Sequence, residues 1–158
     1  MIPISPLQLK RHAFANISLR ANRKGSAQAK ATLDPTAQCV PDPKNANCWH
    51  LALTIKIGSA SPEKPFIYEG EIQVVGEVVI HDSFPAEKRE QIVRVNGIGL
   101  LYSAAREMVL NLSARSMHGA VNLPVLNFVE FFANSDQDAQ KAGKEKPEIQ
   151  SKSKTLKC

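Results

Sequence analysis

Cys39, Cys48 and His50 are the residues whose types and closeness in the chain most suggest a metal site. Thiolate and imidazole groups are the ligands that Zn²⁺ prefers in proteins. Their spacing, C-x8-C-x-H, matches no standard zinc pattern, and no fourth ligand lies nearby in the sequence. The third thiol belongs to Cys158, and an odd number of cysteines argues against a disulfide framework. The sequence therefore predicts reduced, incidental thiols, no metal and no cofactor.

Residues that commonly carry catalysis are present but do not form a known catalytic pattern. The sequence contains no HExxH pair, no G-x-S-x-G elbow and no phosphate-binding P-loop. Gly97 and Gly99 form a G-x-G without the third glycine of a dinucleotide-binding turn. Arg106 and Glu107 are neighbours on a predicted helix and point about 100° apart, which favours structural charges over a catalytic pair. The histidines are scattered along the chain: His12, His50, His81 and His118. We predict that the protein is not an enzyme.

The elements that would position any site begin with strands. Four stretches alternate between apolar and polar residues, as strands with one covered face do. The short connections between them favour an antiparallel meander. The prolines between Asp34 and Asn45 predict a loop in that segment. The predicted strands are Leu7–Asn22, Ser26–Leu33, Trp49–Ile57 and Phe66–Ile80.

Two predicted strands carry irregularities. In the first, Arg11 and Phe14 interrupt the alternation, which predicts a β-bulge or a paired edge near them. In the last, Gly70 and Gly76 fall on the apolar face, where a close neighbour or a bend needs room. The apolar face of the first strand is expected to hold Leu7, Leu9, Ala13, Ala15, Ile17 and Leu19.

After the strands the period changes to that of helices. A short helix is predicted within Pro85–Val95, a long one over Gly97–Ser116, and a third from Pro124 through Phe132. The apolar arc of the long helix spans roughly 160°, whereas one sheet face needs about 100°. The excess favours contact with a symmetry-related copy, the alternative being cover by a loop or by the third helix. The arc contains Ile98, Leu101, Tyr102, Ala104, Ala105, Met108, Val109 and Leu112.

Composition and charge set the remaining bounds. The 158 residues are 43% hydrophobic, which suits one domain over residues 1–133, followed by a polar, basic tail over 134–158 that we expect to be disordered. No apolar stretch approaches the ~18 residues of a membrane span, and the N-terminal charges do not suit a signal peptide. We therefore expect a cytoplasmic protein. The net charge of +5 favours solubilising loops and tails, with nucleic-acid binding as the alternative.

The stretch from Asn96 to Phe128, NGIGLLYSAAREMVLNLSARSMHGAVNLPVLNF, resembles the characteristic region of SecB-type export chaperones. The resemblance extends over roughly residues 5–133 and includes PFIYEGEIQVVGEVVI as the last strand and LQLKRHAFANISL as the first. The matching elements in the long stretch are Asn96, Tyr102-x-x-Ala105-Arg106-Glu107, Ser113-x-Arg115 and Leu123-Pro124-x-x-Asn127-Phe128.

The resemblance implies an α+β fold: a four-stranded antiparallel sheet with a long helix and a short C-terminal helix packed on one side. It also implies a homotetramer, a dimer of dimers whose long helices lie between two large sheets. Carried over by position, the oligomer interface would use Leu101, Tyr102, Ala105, Met108, Val109 and Leu112.

By the same resemblance, the protein is expected to be an ATP-independent holdase for unfolded polypeptides, including preproteins for export. Apolar grooves between sheet and short helix would take extended segments by non-directional burial and backbone hydrogen bonds. Relatives also serve toxin–antitoxin systems by guarding an antitoxin. The implied peptide-binding residues are Phe66, Tyr68, Ile72, Phe128 and Phe132.

The chain also departs from the family pattern. Its crossover between the first two strands, NRKGSAQAKATLD, is short and lacks an aromatic residue. Family members are generally acidic and dock the SecA motor on an acidic sheet face, whereas this chain is basic and offers Glu69, Glu71 and Glu77. A nucleic-acid-binding module and an adaptor for one folded partner remain the alternatives.

Overall fold

The computed structural model describes residues 3–144, with side chains described up to residue 137. The chain divides into two units, Met1–Phe128 and Val129–Cys158. The first unit contains one antiparallel sheet of four strands with the order β1-β4-β3-β2. The fold is therefore the α+β arrangement that the sequence predicted. The strands are β1 (Leu7–Ala21), β2 (Ala31–Asp42), β3 (Asn45–Ser59) and β4 (Tyr68–Ile80).

Strand β2 corrects one prediction, because it occupies most of the segment that was expected to be a loop. Its half-buried residues alternate with exposed ones along its length. Pro35 pairs with Ile55, and Pro41 pairs with Trp49. A proline cannot donate to a strand ladder and is tolerated on an edge strand, which is the position of β2 in the sheet. The prolines therefore mark an edge of the sheet.

The register of β1 shifts twice near Arg11 and Phe14, where the sequence predicted a β-bulge or a paired edge, and the shifts change the faces of its residues. Register shifts fall between Leu9 and Arg11 and between Phe14 and Asn16. The first shift places Phe14 opposite the buried Val74, while Ala13 moves to the other face. The second shift returns Ile17 and Leu19 to the same face as Leu7 and Leu9. The prediction that Ala13 shares a face with Leu7 and Leu9 is therefore wrong, because each bulge inverts the alternation that follows it.

The covered face of the sheet is the face that carries its buried apolar side chains, and the polar face is the opposite one. Gly76 lies on the covered face, where a Cβ atom would be 2.7 Å from Leu101 Cδ2 of the long helix. This glycine provides the room for a close neighbour that the sequence indicated. The covered face includes Leu51, Leu53, Ile55, Ile57, Ile72, Val74, Val78 and Ile80, all buried.

The helical region begins with a 3-10 turn over Ala86–Lys88 and continues through α1 (Arg89–Ile92) and a π turn over Val93–Gly97 into α2 (Ile98–Ser113). The predicted short and long helices are thus confirmed, the long one ending three residues earlier than expected. No helix among residues 3–144 is both long and apolar enough to cross a membrane.

The third helix, α3 (Phe128–Lys144), corrects two boundaries. It begins at Phe128 rather than at Pro124, because the carbonyl groups of Leu123 and Pro124 accept hydrogen bonds from side chains of α2. It also continues past Asn134, where the polar tail was expected to begin. The rest of that tail, residues 145–158, lies outside the described part of the chain.

Candidate polypeptide-binding site

Residues 114–127, which we call the strap, connect α2 to α3 without forming a helix or a strand. Leu123, which is 4% exposed, is the one buried apolar residue of the strap. Met117 and Val125 point outward and are 66% and 80% exposed. A segment without a backbone ladder must satisfy its polar groups by other bonds, so the contacts of the strap determine how firmly it is held.

Tyr68 of β4 fastens the start of the strap. Its hydroxyl lies 2.6 Å from the Gly119 carbonyl oxygen and 3.3 Å from that of Ser113, and it donates to the nearer. Gly119 has a φ of 78°, which an L-amino acid rarely adopts. The ring of Tyr68 meets His118 edge to face, with centroids 5.9 Å apart. His118 Nε2 in turn donates to the Asn22 carbonyl at 2.7 Å, so the strap also reaches the end of β1.

Tyr102 and Arg106, one turn apart on α2, fasten the other end of the strap. The Tyr102 hydroxyl donates to the Pro124 carbonyl at 2.6 Å, and burial raises the pKa of this phenol. Arg106 Nε donates to the Leu123 carbonyl at 2.9 Å, and its Nη2 donates to Asn122 Oδ1 at 3.2 Å. The sequence indicated a structural role for Arg106 but no specific partner. Its position in the Tyr-x-x-Ala-Arg motif, before Leu-Pro, was the signal for this contact.

Ser113, the last residue of α2, is fully buried and ties the middle of the strap. Its hydroxyl accepts a bond from the Val121 N–H at 2.9 Å and lies 3.2 Å from the Leu110 carbonyl, to which it donates. The strap is therefore held by side-chain bonds from β4 and α2 along most of its length. Such bonds are worth about 1 kcal/mol each.

Four of the five residues predicted to bind peptide lie in the first unit and are buried there. Phe66 is 8% exposed, Tyr68 1%, Ile72 0% and Phe128 6%. The ring of Phe128 meets Tyr102 edge to face at a centroid distance of 5.5 Å. The fifth predicted residue, Phe132, lies in the second unit, where its ring meets Phe131 at 5.0 Å. In this conformation the first four residues form part of the core of the first unit.

The predicted oligomer interface divides into two groups. Leu101, Tyr102, Ala105 and Val109 are at most 3% exposed within the chain itself and are therefore occupied by intramolecular packing. Met108 is half-buried and Leu112 is 39% exposed. These two belong to a row at four-residue spacing, a ridge of the kind that packs into the groove of another helix. The row, named here the α2 ridge, consists of Leu100, Ala104, Met108 and Leu112.

The two edges of the sheet differ in their capacity to pair with another strand. The β2 edge carries Pro35 and Pro41, and each removes an N–H group from the backbone. The β1 edge contains no proline over its 15 residues. Its two bulges are the features that restrain further pairing.

The three glutamates of the polar face that the sequence offered for docking, Glu69, Glu71 and Glu77, each have a side-chain partner. Glu77 accepts bonds from Lys10 Nζ at 3.0 Å and from Arg11 Nε at 2.8 Å. The bond with Lys10, helped by those with Cys48 and Arg11, lowers the pKa of Glu77 to about 2. Glu69 lies 3.7 Å from Arg20, and Glu71 accepts a bond from Asn16 at 3.1 Å. Glu69 and Glu77 are therefore paired with cations, whereas Glu71 meets a neutral amide.

Cys39 and Cys48 lie on opposite faces of the sheet. Cys39 pairs with Leu51 on the covered face, and its burial raises its pKa to about 11. Cys48 lies on the polar face with Sγ 3.2 Å from Glu77 Oε1. Within the described residues, no group of three or more metal-ligating side chains comes together.

Comparison with known proteins supports the fold. No family model matches the sequence, and no curated protein does. A solved structure of the Mycobacterium tuberculosis Rv1957 SecB-like chaperone, in complex with a ChAD peptide from the Rv1956 HigA1 antitoxin, aligns with a TM-score of 0.56 at 14% identity. The alignment covers 77% of this chain and 91% of that chain. A Streptococcus agalactiae protein of unknown function aligns with a TM-score of 0.45 at 12% identity, over 75% of this chain and 97% of that chain.

Proposed function

We propose that the protein is an ATP-independent chaperone that holds unfolded polypeptide segments on aromatic residues now covered by the strap. The observation that carries the proposal is the strap itself. It covers Tyr68 and Tyr102 without any regular secondary structure and is held by side-chain bonds that another chain can replace. The SecB-like fold supports the proposal, because a solved SecB-like chaperone shares it.

Binding would begin with displacement of the strap from the covered face. The Tyr68 and Tyr102 hydroxyls would lose their carbonyl acceptors, and an extended client backbone would supply a new one for Tyr68, the residue of this pair that is predicted to contact the client. Burial of client apolar groups would supply the driving force, at roughly 25 cal/mol per Å². Because burial is non-directional, many sequences would be accepted. Phe66, Tyr68, Ile72, Phe128 and Phe132 remain the proposed contacts.

Displacing the strap would also set a threshold for clients. Each strap bond contributes about 1 kcal/mol, so a segment with few large apolar groups would not offset their loss. Folded proteins expose few such contiguous segments. The strap would therefore restrict binding to non-native chains.

We also propose that the chain assembles as a dimer of dimers. The α2 ridge supplies an apolar row in which Leu100 is 40% exposed and Leu112 is 39% exposed. The β1 edge supplies a strand without prolines that can pair with a second copy. Two different surfaces are what a dimer of dimers requires.

A second candidate function is protection of one dedicated client, such as an antitoxin. The aligned M. tuberculosis structure contains an antitoxin peptide, which favours this candidate over export. Export through SecA is less well supported, because Glu69, Glu71 and Glu77 already meet Arg20, Asn16, Lys10 and Arg11 on the polar face.

The test dilutes a chemically denatured, aggregation-prone client into buffer with and without the protein, in the absence of ATP. Light scattering and the mass of any complex are followed together. We expect suppressed scattering and a stable complex at near-stoichiometric ratio. Unchanged scattering with several unrelated clients would reject general chaperoning. Binding of a single antitoxin-type segment alone would then favour the dedicated function.

A further inference from the structure

The crossover between β1 and β2, residues 22–30, carries charge of one sign only. Arg23, Lys24 and Lys30 are all exposed, and the crossover contains no acidic residue. None of the ion pairs within the described residues involves any of these three cations. Their charge is therefore not neutralised by a neighbouring side chain and remains available to a ligand.

The crossover is attached directly to the segment that leads into the aromatic residues. Asn22 N–H donates to the Ile67 carbonyl at 2.8 Å, and Ser26 N–H donates to the Pro65 carbonyl at 3.0 Å. Gly25 lies so close that a Cβ atom there would be 2.6 Å from the Ile67 Cα. The cations are thereby held beside Phe66 and Tyr68.

Few negative charges oppose these cations. Glu69, at the start of β4, lies 3.7 Å from Arg20, the cation that precedes the crossover. A depression of about 390 Å³ between the crossover and the β3–β4 hairpin is lined by Lys24, Lys64 and Glu63 among other residues. The crossover side of this depression is therefore positive, while Glu63 and Lys64 balance each other on the hairpin side.

We propose that the crossover selects clients in which acidic residues flank the apolar segment. This inference rests on the proposed holdase function and specifies its substrate class. The apolar segment would occupy the aromatic residues beneath the strap. Its acidic flank would lie along the crossover, beside Arg23, Lys24 and Lys30. Charge complementarity of this kind discriminates among partners more than it adds affinity.

The test uses three labelled peptides that share one aromatic segment and differ only in flanks, which are acidic, neutral or basic. Binding to the full chain is measured by fluorescence anisotropy. We expect the acidic peptide to bind about tenfold more tightly than the basic one, since exposed charge pairs each contribute up to about 1 kcal/mol. The preference should shrink well above ~0.15 M salt, where such interactions are screened.

Two double variants of equal net charge separate the effect of the crossover cations from the effect of the overall net charge. Lys24→Glu with Lys30→Glu should abolish or invert the preference. Lys44→Glu with Lys88→Glu lowers the net charge equally at the opposite end of the sheet and should leave the preference intact. Circular dichroism confirms that each variant is folded.

Each remaining outcome decides the proposal. Equal binding of all three peptides would overturn the inference and leave the holdase function standing. Loss of preference in both double variants would also overturn it, because net charge would then be the cause. Failure of all three peptides to bind would remove the holdase function as well. Tighter binding of a single-stranded oligonucleotide that displaces the acidic peptide would assign the cations to nucleic acid instead.

Discussion

The Tyr102 hydroxyl donates to the Pro124 carbonyl across 2.6 Å, which joins helix α2 to the strap. Arg106, one turn later, donates to the adjacent carbonyl of Leu123 at 2.9 Å. Tyr102 and Arg106 of the α2 motif thus hold Leu123 and Pro124, the two residues that begin the Leu-Pro motif. In this chain Tyr102-x-x-Ala105-Arg106 and Leu123-Pro124 are therefore linked by hydrogen bonds that fasten the strap to α2.

Removing this hydroxyl should loosen the strap. We expect Tyr102→Phe to lower the free energy of unfolding by about 1 kcal/mol, because one buried hydrogen bond is lost and the Pro124 carbonyl loses its donor. If strap displacement precedes binding, the same change should raise client affinity about fivefold. Urea denaturation and peptide anisotropy measure the two effects.

Ser103→Ala is the matched control for this prediction. Its hydroxyl donates to the Gly99 carbonyl within α2 and makes no bond to the strap. It should change client affinity little. Reduced affinity in Tyr102→Phe, with the fold intact, would contradict displacement of the strap.

Three glycines should respond to alanine in a graded order. At Gly70 a Cβ atom would lie 1.9 Å from the Ser18 carbonyl oxygen, a backbone atom that cannot move without breaking the β1–β4 ladder. At Gly76 it would meet the Leu101 side chain at 2.7 Å, which can shift at a cost of about 1–3 kcal/mol. Gly70→Ala should therefore be the more destabilising by thermal or urea unfolding.

Gly99 provides the third member of that series. A Cβ atom there would make ordinary contact, 4.0 Å from Phe128 Cδ2. Alanine in a helix is favoured over glycine, so Gly99→Ala should stabilise the protein by up to about 1 kcal/mol. An equal loss of stability at all three positions would mean that close approach is not what these glycines provide.

The proposed ridge predicts which exposed leucine of α2 controls assembly. Leu112→Glu places a charge on the α2 ridge and should reduce the mass measured by light scattering. Leu110→Glu alters a residue of similar exposure, 37% against 39%, which lies off the ridge. It should leave the mass unchanged. Dissociation by Leu110→Glu alone would move the interface to the other side of the helix.

Glu77 predicts how stability depends on pH. Its folded pKa is lowered from 4.5 to about 2, so its ion pairs stabilise the fold fully above about 4.5. That stabilisation is lost as the pH falls through about 2, because the unfolded state then binds the proton more readily. Wild type should therefore lose more stability than Glu77→Gln over this window in urea titrations. Parallel pH profiles would show that the carboxylate contributes no linked stabilisation.

The strands and the long helix could be predicted from the sequence because the spacing of apolar residues is a local property of the chain. The alternation that begins at Leu7, the one that ends at Ile57 and the one that ends at Ile80 became β1, β3 and β4, and the helical pattern that begins near Gly97 became α2. The irregularity at Arg11 and Phe14 was also visible, and bulges lie there. Even Gly76 was marked as a position needing space, although its neighbour Leu101 was not identified.

Side-chain types and their spacing were enough to predict the α+β class, three of the strands, the long helix and the aromatic residues available to a site. Tertiary structure decided the rest. Strand β2 formed across two prolines because pairing with β3 at an edge outweighed local turn propensity. The strap lies where the third helix was predicted to start, because the Tyr102 and Arg106 side chains donate hydrogen bonds to the carbonyl groups of Pro124 and Leu123. Tyr68 is buried where its hydroxyl donates to the Gly119 carbonyl of the strap, and burial of this kind depends on neighbours that no local pattern specifies.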